Sequence, residues 1–277
     1  MTIKTKKKFN ARNTNKSGSK SHNRTRVKKQ KAPCEVCSTR KLKGTAAIYK
    51  LKSGNTHLRQ YLPKDDTPIK STGTETVLLE GLKPNTTICY FASNTPTPDF
   101  TANIMPFVNA YGQLENSGVA KTDNNGRVSF KINCPRIYLA EDGEIYSRHI
   151  HWIYWNNKSS KWGNDVYTHQ IFCNVDKAFV KKYATGKSSG VIIIDALSEE
   201  SYREHHIPGA INLPASKKWT YSQVIDILPK GTHSYTPIII YCYSPKCTAA
   251  EKLWMQLNKL GFYNTMHYSG GITDWLS

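Results

Sequence analysis

Cys242 is the residue of this chain best placed to do chemistry. It follows the apolar run Ile238-Ile239-Ile240-Tyr241 and precedes a short loop, Tyr243-Ser244-Pro245-Lys246-Cys247, after which Thr248 opens a segment with helical spacing. A cysteine between a buried strand and a helix start meets backbone N–H groups and the positive end of the helix dipole. Both favour thiolate over thiol. The pattern predicts a nucleophilic thiolate at Cys242, with Tyr243, Ser244, Pro245 and Thr248 in its loop and Lys246 as a nearby positive charge. Cys247 adds a second thiol, able to attack a persulfide or sulfenic acid on Cys242 and close a disulfide. The alternative is a buried, inert cysteine.

Two other groups have ligand-like spacing. His149 and His151 stand two apart on the β-prone run Arg148 to Trp155, so both face one side of a strand. His169 and Cys173 lie on the next run, and Tyr138 lies just upstream. Together they read either as a metal site or as partly buried histidines of a sheet. Cys34-Glu35-Val36-Cys37 offers two of the four ligands of a structural zinc site, or is an incidental pair. Seven cysteines, an odd number with one close pair, suggest thiols that are mostly reduced.

The elements that must position these groups fall into three stretches. Residues 1–43 form a polar, basic tail. Its first 31 residues carry 12 Lys and Arg and no acid, against a whole-chain charge of +19, and too few apolar groups to offset the entropy of ordering. Lys6, Lys7, Lys8, Arg24, Arg26, Lys28 and Lys29 would grip nucleic acid or another polyanion, or the tail serves as a solubilising or nuclear-targeting extension. Residues 44–173 read as an all-β sandwich of short strands: 45–51, 76–79, 87–92, 127–132, 148–155 and 166–173, with Asp123-Asn124-Asn125-Gly126 as a hairpin-type turn. Residues 174–277 read as α/β. Val191-Ile192-Ile193-Ile194 and 238–241 are continuous apolar runs, as in strands of a parallel sheet buried on both faces. Asp176 to Tyr183 reads as a helix burying Ala178, Phe179 and Tyr183, and Thr248 to Leu260 as one that Gly261 ends. No apolar run approaches membrane-spanning length and no apolar stretch follows the basic start, so the expected location is intracellular, in cytoplasm, nucleus or a virion, and not secreted.

The C-terminal motifs resemble the rhodanese family. His206-Ile207-Pro208-Gly209-Ala210-Ile211-Asn212-Leu213-Pro214 is similar to its HIPGAxNxP signature, Asp195 ends the first core strand, Tyr241-Cys242 opens the active loop, and Gly270-Gly271-Ile272 with Trp275 is similar to its closing GGxxxW. The resemblance implies a sulfurtransferase with a persulfide on Cys242, a sulfane-sulfur donor, a thiol acceptor and no required cofactor. Departures are Pro245 where Gly is frequent, Cys247 where Arg is frequent, and Leu197 where Arg often follows the aspartate. Pro245 takes one N–H from the cradle, and the lost Arg removes a bidentate anion ligand. A tyrosine-phosphatase reading needs Arg at the position of Thr248.

The middle stretch resembles intradiol ring-cleavage dioxygenases in motif order: Phe91-Ala92-Ser93-Asn94, then 122–130, 135–138, Arg148-His149-Ile150-His151, and 168–172. This implies non-haem iron held by His149, His151, Tyr138 and an earlier Tyr. Asp99 occupies that earlier register, with Tyr111 and Tyr146 as substitutes. A plain fibronectin-type binding sandwich is the alternative. The function expected is a sulfurtransferase or thiol-redox protein fused to a dioxygenase-like sandwich, or a non-catalytic virion or nucleic-acid-associated protein using both folds for binding. The Lys-, Asn- and Ile-rich composition with this pairing suggests a large DNA virus.

Overall fold

The structure, a computed structural model, describes residues 47–50, 56–94, 105–139, 143–184 and 190–277. The basic tail with its named Lys and Arg residues, Cys34, Cys37 and Asp99 lie outside these residues.

The strands in chain order are β1 (Ala47–Lys50), β2 (Glu75–Leu79), β3 (Thr87–Ala92), β4 (Met105–Pro106), β5 (Ser117–Lys121), β6 (Val128–Ile132), β7 (Tyr138–Leu139), β8 (Ile145–Tyr146), β9 (His149–Asn156), β10 (Lys161–Trp162), β11 (Asp165–Gln170), β12 (Ile192–Asp195), β13 (Ile211–Asn212), β14 (Ile238–Tyr241) and β15 (Thr265–Tyr268). The helices are α1 (Thr56–Arg59), α2 (Phe107–Tyr111), α3 (Lys177–Lys181), α4 (Glu199–Glu204), α5 (Tyr221–Ile227), α6 (Ala249–Leu260) and α7 (Gly271–Leu276).

In the middle region β1, β11, β9, β3 and β5 pair in that order, with β10 added to β9. Period-two alternation sorts the side chains of this antiparallel sheet. Ile88, Tyr90, Ala92, Ile150, Trp152 and Tyr154 face one side and pack against Val77, Leu79, Val128, Phe130 and Ile132 of the β2–β6 ribbon. Cys89, Phe91 and Ile153 face the other side and meet Ala110, Tyr111, Leu114 and Tyr138. His149 and His151 share that second side by the same alternation, which decides where the candidate ligands point.

Asp123 to Gly126 forms a turn, with the Asp123 carboxylate accepting N–H bonds from Asn125 and Arg127. Gly126 N–H donates to the Asp123 carbonyl at 3.1 Å and Asp123 N–H to the Arg127 carbonyl at 2.8 Å, the bonds of a hairpin-type turn, although β5 goes on to join β3 and β6 to join β2. Gly126 has φ +71, and a Cβ there would meet the Leu82 carbonyl oxygen at 2.2 Å. The final strand of the region ends at Gln170 rather than Cys173. Cys173 bonds instead to Cys134, whereas Cys89, Cys242 and Cys247 are free, so three of the five described cysteines are thiols; 39 residues separate the bonded pair in sequence, so spacing could not reveal it.

The C-terminal region is a parallel sheet in the order β13-β12-β14-β15. Ile192, Ile194, Ile238 and Ile240 face α5 and α6; Ile193, Ile239, Tyr241 and Met266 face α3 and α7. Burial on both faces explains the unbroken apolar runs. α3 is shorter than expected. Asp176 caps it by accepting from the Phe179 N–H at 2.7 Å, and Val180 is its buried residue, while Ala178 is exposed. α6 ends on Gly261 at φ 97, the left-handed cap that glycine adopts without steric cost.

The two regions are tied together. The Phe172 ring stacks on Trp254 of α6 at 4.8 Å and on His267 of β15 at 4.6 Å. The buried Arg148 guanidinium donates to the Pro135 carbonyl at 2.5 Å and to the side-chain oxygen of Asn264. Burial first, then the neighbouring Arg136, pulls Arg148 down to about 9, opposed by Glu75.

Candidate functional site

Cys242 leaves the C-terminal end of β14 on the side facing α6. The chain runs from β12 outward to β13 on one side and later to β14 on the other, so Cys242 lies where the strand order reverses, the usual ligand crevice of an open α/β sheet. Behind it, Ile272 N–H donates to the Cys242 carbonyl at 2.9 Å and Thr273 N–H to the Tyr243 carbonyl at 3.0 Å. Gly271 makes this approach possible. Its φ is +62, and a Cβ would lie 2.4 Å from the Cys242 oxygen.

The other motif residues brace the same loop from a distance. The Tyr241 hydroxyl accepts from Ile207 N–H at 2.9 Å, and Tyr202 Oη donates to the Ala210 carbonyl at 2.6 Å. The Asn212 side chain donates to the carbonyls of Asp195 and Leu197 at 3.2 and 2.9 Å, locking β13 to β12. The motif from His206 to Pro214 is therefore a scaffold for the sheet edge and adds no reactive group to the loop.

Within the loop, Cys247 N–H donates to the Ser244 carbonyl at 2.9 Å, closing a turn with Pro245 at its second position, where the missing N–H is not needed. Lys246, Thr248 and Tyr243 are exposed, so Lys246 supplies a solvated charge at the rim. Thr248 precedes α6 without a side-chain cap hydrogen bond, which leaves the first N–H groups of the helix to the sulfurs.

The cradle does not act as the sequence suggests. Cys242 is 2% exposed, and its thiol donates to the Cys247 carbonyl oxygen at 3.3 Å. Burial, helped by its hydrogen bond to Cys247, pushes the Cys242 thiol up to about 12 despite N–H groups of Ala250 and Tyr243. Cys247 is only half-buried. Burial pushes its thiol up too, but the Cys242 thiol and the N–H groups of Ala249, Tyr243 and Ser244 outweigh that and hold it below its ordinary value. Thiolate stabilisation falls on the second cysteine.

A second cluster occupies the far side of the middle sheet. Tyr138 Oη lies 3.0 Å and Tyr111 Oη 3.2 Å from His149 Nε2, the two hydroxyls are 3.2 Å apart, and His151 Nε2 is 3.1 Å from His149 Nε2. All four residues are at most 4% exposed. His149 Nδ1 must donate to the Ser147 carbonyl, 2.5 Å away, so its Nε2 presents a lone pair to the cluster. His151 Nδ1 is engaged by Thr168 Oγ1 at 2.6 Å. Burial pulls His149 down to about 4, and burial together with His149 pulls His151 well below the imidazole range, so both rings are neutral.

Tyr111, at the end of α2, supplies the hydroxyl for which Asp99 held the register, whereas Tyr146 stacks on Tyr138 at 5.7 Å. Only the need for a second tyrosine pointed to Tyr111. Among the described residues no three His, Cys, Asp or Glu side chains gather to hold a metal, so a cation here would depend on the phenols. Two phenol oxygens and two neutral imidazoles suit a hard to borderline metal such as ferric iron. His169 is on β11, and burial lowers it to about 4.

Residues 179–277 match the family model described as the rhodanese-like domain, and this region is a rhodanese-like domain. The chain is 27% identical over 89 residues to thiosulfate sulfurtransferase GlpE of Coxiella burnetii, covering 32% of this chain and 75% of that protein. Among solved structures it is similar to the BH2092 protein of Bacillus halodurans, with 30% identity, 38% of this chain and 71% of the other covered, and a TM-score of 0.33. It is also similar to the single domain sulfurtransferase RDL2 of Saccharomyces cerevisiae, with 17% identity, coverage of 39% and 90%, and a TM-score of 0.34. Among the described residues no helix is long and apolar enough to cross a membrane.

Proposed function

We propose that the C-terminal domain is a sulfurtransferase that carries sulfane sulfur as a persulfide on the Cys242–Cys247 loop and passes it to a thiol acceptor. The observation that carries this reading is the placement of two thiols in one loop at the N-terminus of α6, with backbone donors turned to both sulfurs. Such donors stabilise a persulfide anion as they do a thiolate. With Cys247 in place of an arginine, the loop offers a doubly charged donor such as thiosulfate only the solvated Lys246, so a low-molecular-weight persulfide is the better donor. Incubating the chain with glutathione persulfide, then adding a thiol acceptor, transfers sulfur. Replacing both loop cysteines with serine abolishes the transfer, and equal transfer by that variant overturns the reading.

A second reading rests on a separate observation, the convergence of Tyr111, Tyr138, His149 and His151. These residues would hold one metal ion, with ferric iron favoured by the phenols. When bound, the ion would supply a Lewis acid in a buried site. The chain's own contribution is to orient both imidazoles through Ser147 and Thr168. Iron added to the chain gives a visible phenolate-to-iron band if this is right, and no bound iron under any loading condition overturns it. The basic tail, taken as a polyanion-binding arm, predicts salt-sensitive retention on DNA that disappears when residues 1–31 are removed; retention unchanged by the deletion contradicts it.

A further inference from the structure

We propose that Cys247, and not Cys242, makes the first attack on the sulfur donor, and that Cys242 receives the sulfur from it. This rests on the sulfur-carrying reading of the loop.

Access separates the two sulfurs first. Cys242 is 2% exposed beneath the start of α6, whereas Cys247 is half-buried at the outer end of the loop, between exposed Lys246 and exposed Thr248. A donor arriving from solvent meets Cys247 before it can reach Cys242. Hydrogen bonding separates them next. The Cys242 proton is directed at the Cys247 carbonyl oxygen at 3.3 Å, which keeps that sulfur a thiol. The uncapped start of α6 offers the Ala249 N–H to Cys247 and the Ala250 N–H to Cys242, so the helix end serves both sulfurs and the bond made by the Cys242 thiol is what separates them. The Cys242 thiol and the N–H groups around Cys247 hold Cys247 below its ordinary value, in agreement with its greater exposure.

The steps balance without any added oxidant. The Cys247 thiolate attacks the outer sulfur of a persulfide R–S–SH, the donor S–S bond breaks, and the leaving thiolate takes the proton, giving R–SH and Cys247–S–S⁻. The Cys242 proton then passes to the terminal sulfur, giving Cys247–S–SH and the Cys242 thiolate, which attacks that terminal sulfur. The S–S bond breaks, the leaving Cys247 sulfur takes the proton, and Cys242–S–S⁻ remains. One sulfur atom moves inward and one proton outward. The buried position then shields the persulfide from solvent thiols until an acceptor docks.

The full chain is tested in two ways. Substoichiometric iodoacetamide at neutral pH, followed by peptide mass mapping, labels Cys247 at least ~10-fold faster than Cys242, as expected of the accessible thiolate. Labelling of Cys242 first overturns the proposal and does so even if the protein accepts no sulfur. With glutathione persulfide, the Cys247→Ser variant loads at least ~10-fold more slowly than the wild type, while the sulfur taken up by Cys242→Ser is found on Cys247. Loading of Cys247→Ser at the wild-type rate overturns it. A wild type that takes up no sulfur overturns the sulfur-carrying reading itself.

Discussion

In the C-terminal domain the two loop sulfurs lie beyond the C-terminal end of β14, a central strand of the parallel sheet, with Cys247 half-buried and Lys246 in solvent. The middle region carries its four candidate donors on β7, β9 and the end of α2, all at most 4% exposed and within 3.0–3.2 Å of a neighbour in the cluster. One arrangement suits traffic with external thiols; the other suits holding something in place. Loops tolerate the movement that transfer chemistry needs, whereas paired strands fix ligand positions. The seam between the regions, made by Phe172 and Arg148, belongs to neither site.

The largest effect is expected at the disulfide that ends the middle region beside that seam. Replacing Cys134 and Cys173 together with alanine removes a cross-link spanning 39 residues, which chain entropy values at about 4 kcal/mol. Denaturant unfolding should show that loss, with sulfur loading at Cys242 retained in the native protein. If loading disappears with the cross-link, the two sites are not independent.

The next largest effect is expected at the buried cluster. Tyr111→Phe removes one oxygen donor at nearly unchanged volume, so iron affinity should fall more than ~100-fold, beyond the ~10–100-fold typical of losing an outer partner. Sulfur transfer should be unaffected. Unchanged iron binding, measured by titration and visible absorption, would show that Tyr111 is no ligand.

The smallest effect concerns orientation. Thr168→Val deletes the oxygen 2.6 Å from His151 Nδ1, and iron affinity should fall by ~10-fold, about 1.4 kcal/mol, with Thr168→Ser restoring it. An equal loss in both variants would point to packing instead of the hydrogen bond.

The loop could be found in the linear sequence because everything it needs is local: an apolar run, a cysteine, a turn with Pro245, and a helix ended by Gly261. Which sulfur the cradle favours was not legible, because it depends on the burial of Cys242 and on a hydrogen bond folding back from Cys247. His149 and His151 could be placed on one face by their spacing alone. Tyr111 could not, since α2 is five residues long and reaches Tyr138 and His149 only through tertiary packing. The turn at Asp123 was likewise readable as a turn, but its partners were not, because the pairing of β5 with β3 and of β6 with β2 is non-local. Cys134 and Cys173 meet for the same kind of reason.

The Cys242–Cys247 loop is proposed to accept and hold sulfane sulfur. Mass measurement of the non-reduced full chain after glutathione persulfide, with peptide mapping, tests it most directly. A gain of one sulfur confined to the peptide bearing Cys242 and Cys247 is expected, with no gain when both are serine. No gain in the wild type, or an equal gain in the doubly substituted chain, would contradict it.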